Sequence, residues 1–549
     1  MNHIRSLLCS KNCITTIYII ITVVTVLLFS WYKFKTGEIN YRNSDATFHT
    51  LLTIQAYEDT PISEHKFLPL VNFGNPDDKF ISWGDTIPDP KGNYFYTSFS
   101  WIGYFLPWAF IKLFHLPINE TSLYIFNTTL FALSAILWLT LVSLFYRDNK
   151  NRYILIPIAA LTFIFSPELM HGMGLVYWHQ SILQVTLPAQ MLAYYLWRKQ
   201  NSMHAKRAFF ALTLFNPLTE WTGYVANVGY ACYEFLWHRK DASWHAWRTI
   251  FWIGGLTAAA FVLFTVHYLL VIPADQYFIT VLRRFIGRSL IGKHQQLGAL
   301  RENIFGGYIR SFFAWWLFIA LLFFWILFRN NKLEIKPQSK AILFILAFLG
   351  LENALMQEHT IYYSYDRMKM VFLVSFISCE LLDQLLNTSA SSRKKWVCSL
   401  VFPAALVCCA INIYNYQKTT DYVWKIDYRA NNIKFAEYIK NQFPESTLGS
   451  VIYVRGYINM LFHRSIYEKA TLPQLTEIAQ KQHKRYAIVL YFDGDYKWFL
   501  YQLSLPTYSL TWGMVRLTKA TVYDLYAQTT QIVSISNDGI ITQAALSDL

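Results

Sequence analysis

Runs of apolar residues alternate with short basic segments along the first three quarters of this chain. A helix of about twenty residues crosses the roughly 30 Å of bilayer hydrocarbon. The pattern predicts about eleven spans, near 14–32, 122–145, 153–169, 176–196, 206–216, 218–237, 248–272, 309–328, 341–357, 368–386 and 396–414. Ile14–Tyr32 has no small-residue cleavage site and reads as an uncleaved first span. Asn216-Pro217 divides 206–237 into two short arms, and a broken membrane helix needs protein or a cavity to cover its freed backbone. Phe99–Phe114 is short, contains Pro107 and is rich in Trp and Tyr, so it reads as an interfacial helix.

Charge fixes the expected orientation. The formal charge is +14 over 549 residues, yet only 15% of positions are charged and 54% are apolar. The N-terminus and five short inter-span loops carry 19 Lys and Arg against Asp148, Asp241 and Glu334. Basic residues in alternate short loops are the positive-inside signature, which accounts for the charge without nucleic acid. The rule places the N-terminus in the cytoplasm and the segment after the last span outside. The seven cysteines lie in or beside apolar spans and show no Cys-x-x-Cys spacing, so no disulfide framework or cysteine metal site is expected.

The expected architecture is mainly α: a polytopic helical bundle, residues 1–417, with a first extracytoplasmic loop at 33–121. Residues 418–549 form a small extracytoplasmic α/β domain. Its predicted elements include helices at Asn431–Phe443 and Leu472–Lys481, with strand-like runs at Ser450–Val454 and Tyr486–Phe492. Asp493-Gly494-Asp495 after a strand reads as a turn.

Candidate chemistry collects on the outer face. Asn43 and Ser44 can cap a helix beginning near Asp45, with Phe48, Leu51, Leu52 and Ala56 as its apolar stripe. Asp45 and His49 sit one turn apart on one side. On spacing alone, the plainer reading of Asp45 is an acid stabilising a helix N-terminus. Arg283, Arg284, Arg288 and Lys293 follow Tyr277, Phe278 and Leu282 on an interfacial helix. Positive-inside does not explain them, and guanidinium pairs phosphate in bidentate fashion, so a lipid phosphate competes with generic headgroup contact. Glu358-His359 and Arg367/Lys369 flank Tyr362-Tyr363-Ser364-Tyr365, a candidate sugar or phosphate clamp against ordinary aromatic anchoring. His179, His267, Glu220 and Glu352 lie at outer span ends, where ionisable groups default to functional hypotheses. The two histidines also read simply as packed polar residues. No spacing supports a metal site.

This layout resembles the GT-C type of membrane glycosyltransferases. Ser44-Asp45-Ala46 after the first span is similar to that family's acidic helix start, with Ala46 where a second acid is usual. Tyr94–Tyr104 resembles its aromatic interfacial helix. Pro217-Leu218-Thr219-Glu220 resembles its broken-helix tip, with Glu220 in place of a lysine, and Glu358-His359 its late outer loop. His179 stands where a second acid often heads the fourth span. The resemblance implies a sugar donor on polyprenyl phosphate, a glycan, lipid or protein acceptor, and inverting transfer with Asp45 as base. It implies substrate contacts from His49, His179, Glu220, Glu358 and His359. Donor phosphate would meet Arg283, Arg284, Arg288 and Lys293, then Arg367 and Lys369. No cofactor is implied, and the expected location is the bacterial inner membrane. Two alternatives remain: an oligosaccharide ligase or polymerase using lipid-diphosphate glycans, and a non-enzymatic flippase or transporter of lipid-linked sugars. The latter expects deep polar residues and internal repeats, which this chain does not display.

Overall fold

The computed structural model describes residues 11–37, 45–83, 86–238, 244–289, 308–328, 335–357, 360, 364–389, 391–423, 429–452, 456–493 and 516–546. This is a multi-pass membrane protein. Six described helices are long and apolar enough to cross a membrane, and the apolar helices Arg152–Ile164 and Phe313–Phe328 are shorter. In chain order the bundle comprises α1 Lys11–Lys35, α2 Asp45–Asp59, α3 Ile102–Leu113, α4 Glu120–Phe145, α5 Arg152–Ile164 and α6 Pro167–Gly172. It continues with α7 His179–Gln200, α8 Met203–Thr219, α9 Thr222–His238, α10 Trp244–Leu269 and α11 Ala274–Arg288. The last bundle helices are α12 Phe313–Phe328, α13 Pro337–Leu355, α14 Val371–Asn387 and α15 Ser391–Val423. Each expected span has a helix at its position. The helix expected within Phe99–Phe114 is α3, whose Trp108 and Lys112 both bond Glu58 of α2.

Two polar layers stitch the bundle. At one end the buried Asp383 carboxylate accepts from Asn149 at 2.6 Å and Asn151 at 3.0 Å, and pairs Lys336 at 2.8 Å. The opposite end carries the first loop. There Trp221 donates to Ser98 O at 2.8 Å, and Tyr268 donates to Tyr96 O at 2.8 Å and Phe99 O at 2.6 Å.

One break lies elsewhere than the sequence predicts. Helix α8 runs through Pro217, and the chain turns at Glu220, the residue following the helix. Proline lacks the N–H that would reach the carbonyl four residues back. That carbonyl, Thr213 O, instead accepts from the Asn227 side chain at 2.8 Å. The neighbouring helix thus supplies the missing donor and the helix continues.

The first loop carries an antiparallel hairpin, β1 Thr86–Pro88 and β2 Tyr94–Tyr96. The C-terminal domain holds six strands, β3 Ser446–Ser450, β4 Tyr467–Glu468, β5 Tyr486–Asp493, β6 Arg516–Asp524, β7 Thr529–Ile535 and β8 Ile541–Ala545, in one sheet of order β4-β3-β5-β6-β7-β8. Strand β3 is parallel to both neighbours, and the remaining pairs are antiparallel. Alternation along β5 sends Ile488 and Leu490 to one face, with Phe435 and Ile439 of α16 (Arg429–Gln442). Ala487 and Val489 face α18 (Leu472–Lys481), through Leu475 and Ala479. Strand β3 precedes the predicted 450–454 run because Ser446–Ser450, though rich in small polar residues, is buried between two strands. Helix α17, Gly456–Phe462, was not expected. Gly494 and Asp495 lie outside the described residues.

Candidate functional site

Helix α2 begins at Asp45, as the capping reading predicts. It is not amphipathic in its setting. Thr47, His49, Thr50 and Thr53 are buried along with Phe48, Leu51 and Leu52. Bundle residues cover one side, where the Tyr177 N–H donates to Thr47 Oγ1 at 3.3 Å. The C-terminal domain covers another, where Tyr457 packs edge-on against Phe48 with centroids 4.8 Å apart.

One turn after Asp45, His49 enters a box of aromatic rings. Trp83 and Tyr96 meet it edge-on at 4.5 Å between centroids, and Trp178 and Tyr104 lie at 5.4 and 5.6 Å. Burial, then the neighbouring His179 and Arg284, push its imidazole well below the usual histidine range, so His49 is neutral. His179 stacks on Phe99 at 4.5 Å and contacts Thr219 O at 3.4 Å through Nδ1. Gly103 is required here: an added Cβ would lie 2.0 Å from His179 Nδ1.

The arginines are sorted by helical phase. In α11 the stripe Tyr277, Val281, Arg284 and Arg288 faces the protein, with Tyr277 stacked on Tyr268 at 5.4 Å. Phe278, Ile279, Leu282, Phe285 and Ile286 are exposed on the other side, so the helix is amphipathic. Arg284 bonds Ser98 and lies 4.5 Å over the Tyr96 ring. Arg288 donates to Ser98 Oγ at 2.8 Å and to Tyr96 Oη at 3.0 Å. Arg283 is exposed, on the side away from Ser98.

Ser98 also borders a small, partly open cleft lined by Phe99, Ser100, Pro217, Glu220, Trp221, Tyr224 and Phe264. Glu220 is buried at its edge and accepts from the Thr222 N–H at 2.8 Å. Behind it, Lys369 pairs with Glu352 and donates to Thr222 Oγ1 at 3.0 Å. Arg367 meets Glu168 at 3.5 Å and donates to Ser311 Oγ at 2.8 Å. Both cations are almost wholly buried. The structure thus brings together His49, His179, Arg284, Arg288 and Glu220, and sets Arg367 and Lys369 into internal ion pairs. His267 is a packed polar residue, bonded to Lys66 O at 2.8 Å. Lys293, Glu358 and His359 lie outside the described residues. Among the described residues, no three His, Cys, Asp or Glu side chains group as metal ligands.

Sequence reasoning missed Ser98 and Tyr96 as seats for the two guanidiniums, and Trp83 and Tyr104 as walls around His49. The aromatic run Tyr94–Tyr104 was the available signal. Nothing in it distinguishes a ring that anchors at a membrane from one that packs on an arginine.

No protein-family model matches the sequence, and no curated protein matches it either. Solved structures do. ArnT from Cupriavidus metallidurans bound to undecaprenyl phosphate superposes with a TM-score of 0.55 at 13% identity, over 91% of this chain and 98% of that one. Its apo state gives 0.50 at 12% identity over the same shares. The oligosaccharyltransferase of Archaeoglobus fulgidus in its apo form gives 0.52 at 12% identity, over 87% of this chain and 69% of that one. The likeness extends over bundle, first loop and C-terminal domain, and the chain has the fold of the GT-C membrane glycosyltransferases.

Proposed function

We propose that this protein transfers a sugar from a polyprenyl-phosphate donor to a glycan, lipid or protein acceptor at the extracytoplasmic face of a bacterial inner membrane. The observation that carries this reading is the convergence of Arg284 and Arg288 on Ser98, at the mouth of a cleft with aromatic walls. Two guanidiniums on the inner side of an interfacial helix suit a phosphate at headgroup depth. Trp221, Tyr224 and Phe264 beside this seat offer an apolar surface to the first isoprene units. The structural likeness to a protein solved with undecaprenyl phosphate supports the same ligand class here.

In this reading Asp45 removes the proton from an acceptor hydroxyl. The acceptor oxygen attacks the anomeric carbon from the face opposite the phosphate, the glycosidic bond to phosphate breaks, and configuration inverts. Arg284 and Arg288 stabilise the charge that develops on the leaving phosphate. His49, neutral and one turn from Asp45, and His179 contact substrate hydroxyls, and Glu220 borders the donor sugar. Exposed Arg283 belongs to the outer approach, where it meets headgroups. Lys369 acts through the ion pair with Glu352 behind Glu220, and Arg367 through its pair with Glu168.

The likeness to an oligosaccharyltransferase favours one second reading, transfer of a preassembled oligosaccharide. Mass spectrometry of envelope glycans and lipids, with and without the protein, separates the two. A product lacking one sugar unit in the absence of the protein supports the first, and loss of a whole oligosaccharide supports the second. Unchanged products, with lipid-linked sugar redistributed between leaflets, would replace transfer by transport.

A further inference from the structure

The C-terminal domain touches the one helix that carries both Asp45 and His49, and it does so with backbone. Gly456, the first residue of α17, sits so close that an added Cβ would lie 2.9 Å from the C and O of Phe48 and 3.0 Å from the N of His49. These are main-chain atoms of a buried helix and have nowhere to move. Next to this seat, Met460 packs among Leu52, Val71 and Phe73. The far end of α2 is held by charge: His463 Nε2 bonds Asp59 at 3.2 Å. Beside that pair the Ser465 N–H donates to Asp78 at 2.9 Å, and Lys484 pairs with Asp77.

We propose that the C-terminal domain is a clamp on α2, with Gly456 and His463 as positioning residues for the acid at its start, and that the clamp loosens as the medium becomes alkaline. This rests on the reading of Asp45 as a catalytic residue. A helix buried from Ala46 to Ile54 cannot be held by the bundle alone when one of its sides is covered by a separate domain. Removing that cover leaves apolar residues and the ends of α2 exposed, and the first turn is the part that frays first.

The pH sense follows from the groups at the contact. His463 faces Asp59 on α2, Asp78 on the loop and Lys440 on α16, with Arg464 beside it in sequence. Its hydrogen bond to Asp59 holds it above the usual histidine value, against burial. That contribution is complete below the free histidine value near 6.5 and is lost as pH rises through the raised one. Burial pushes the Asp78 carboxyl up to about 7, against the Ser465 N–H and Arg464, which lower it. The groups that the docked domain brings to Asp78, the Ser465 N–H and the Arg464 guanidinium, favour its charged form, so the alkaline loosening is carried by His463.

The test is amide hydrogen exchange in the full-length protein in lipid nanodiscs, corrected for intrinsic rates. Protection of 45–59 is expected to fall about threefold or more between about pH 6 and about pH 8, with α4 and α14 unchanged. His463→Gln should flatten most of that dependence. Gly456→Val should cut protection of 45–59 about tenfold at either pH and lower kcat about tenfold, with donor KM within about twofold. Unchanged protection in Gly456→Val, or equal protection of wild type at both pH values, overturns the clamp. Lost protection with full kcat overturns its positioning role. A wild type inactive toward every lipid-phosphate sugar instead overturns the functional reading, and the exchange data then decide the clamp by themselves.

Discussion

Arg288 donates to the hydroxyl of Ser98 at 2.8 Å, joining positions 190 residues apart in sequence. The contact fixes an interfacial helix to the first loop. Arg284 converges on the same hydroxyl, whereas Arg367 and Lys369 meet carboxylates inside the bundle.

Arg284→Ala with Arg288→Ala is therefore expected to raise donor KM by about tenfold to a hundredfold, from charge-assisted bonds of about 1.5–3 kcal/mol each, part of it offset by solvent. Arg283→Ala should change it by less than about threefold. Initial-rate kinetics with a defined polyprenyl-phosphate sugar checks both, and equal effects of the inward and outward arginines would remove the phosphate seat.

The Lys369–Glu352 pair is buried, so breaking it strands a charge. Lys369→Met is expected to cost about 3–5 kcal/mol, and the double change Lys369→Met with Glu352→Leu to recover most of that. Thermal unfolding in detergent reads the order of the three proteins. A single variant as stable as the parent would contradict the assignment of Lys369 to the fold.

The bundle was legible in the sequence because apolar run length and charge alternation are each set by the bilayer. Hence the span positions between 14 and 414, the helix within Phe99–Phe114 and the helix start at Asp45 follow by local reasoning. What was not legible depended on partners distant in sequence. Asp45–Asp59 reads as amphipathic because Thr47, His49, Thr50 and Thr53 are polar, yet all four are buried beneath rings and a second domain. Arg284 and Lys369 look alike as basic residues in the sequence, and their neighbours Ser98 and Glu352 lie far from them along the chain or on another helix. Pro217 reads as a break because its replacement donor, Asn227, sits on the next helix.

That last substitution of donors is itself testable. Asn227→Leu leaves Thr213 O without the side-chain N–H it accepts, and should cost about 1–3 kcal/mol. Apparent unfolding temperature measures it. Because the lost bond is what lets α8 pass Pro217, hydrogen exchange in 213–220 should rise more than in α9. A uniform rise over both helices would contradict that account.

The central claim is that Asp45 acts as base in sugar transfer from a lipid phosphate. The most direct measurement is release of polyprenyl phosphate from a radiolabelled donor by purified protein in nanodiscs, wild type against Asp45→Asn, with donor binding measured in parallel. The account predicts that Asp45→Asn binds donor within about twofold of wild type and turns it over at least about a hundredfold more slowly. Turnover by Asp45→Asn at the wild-type rate would contradict it.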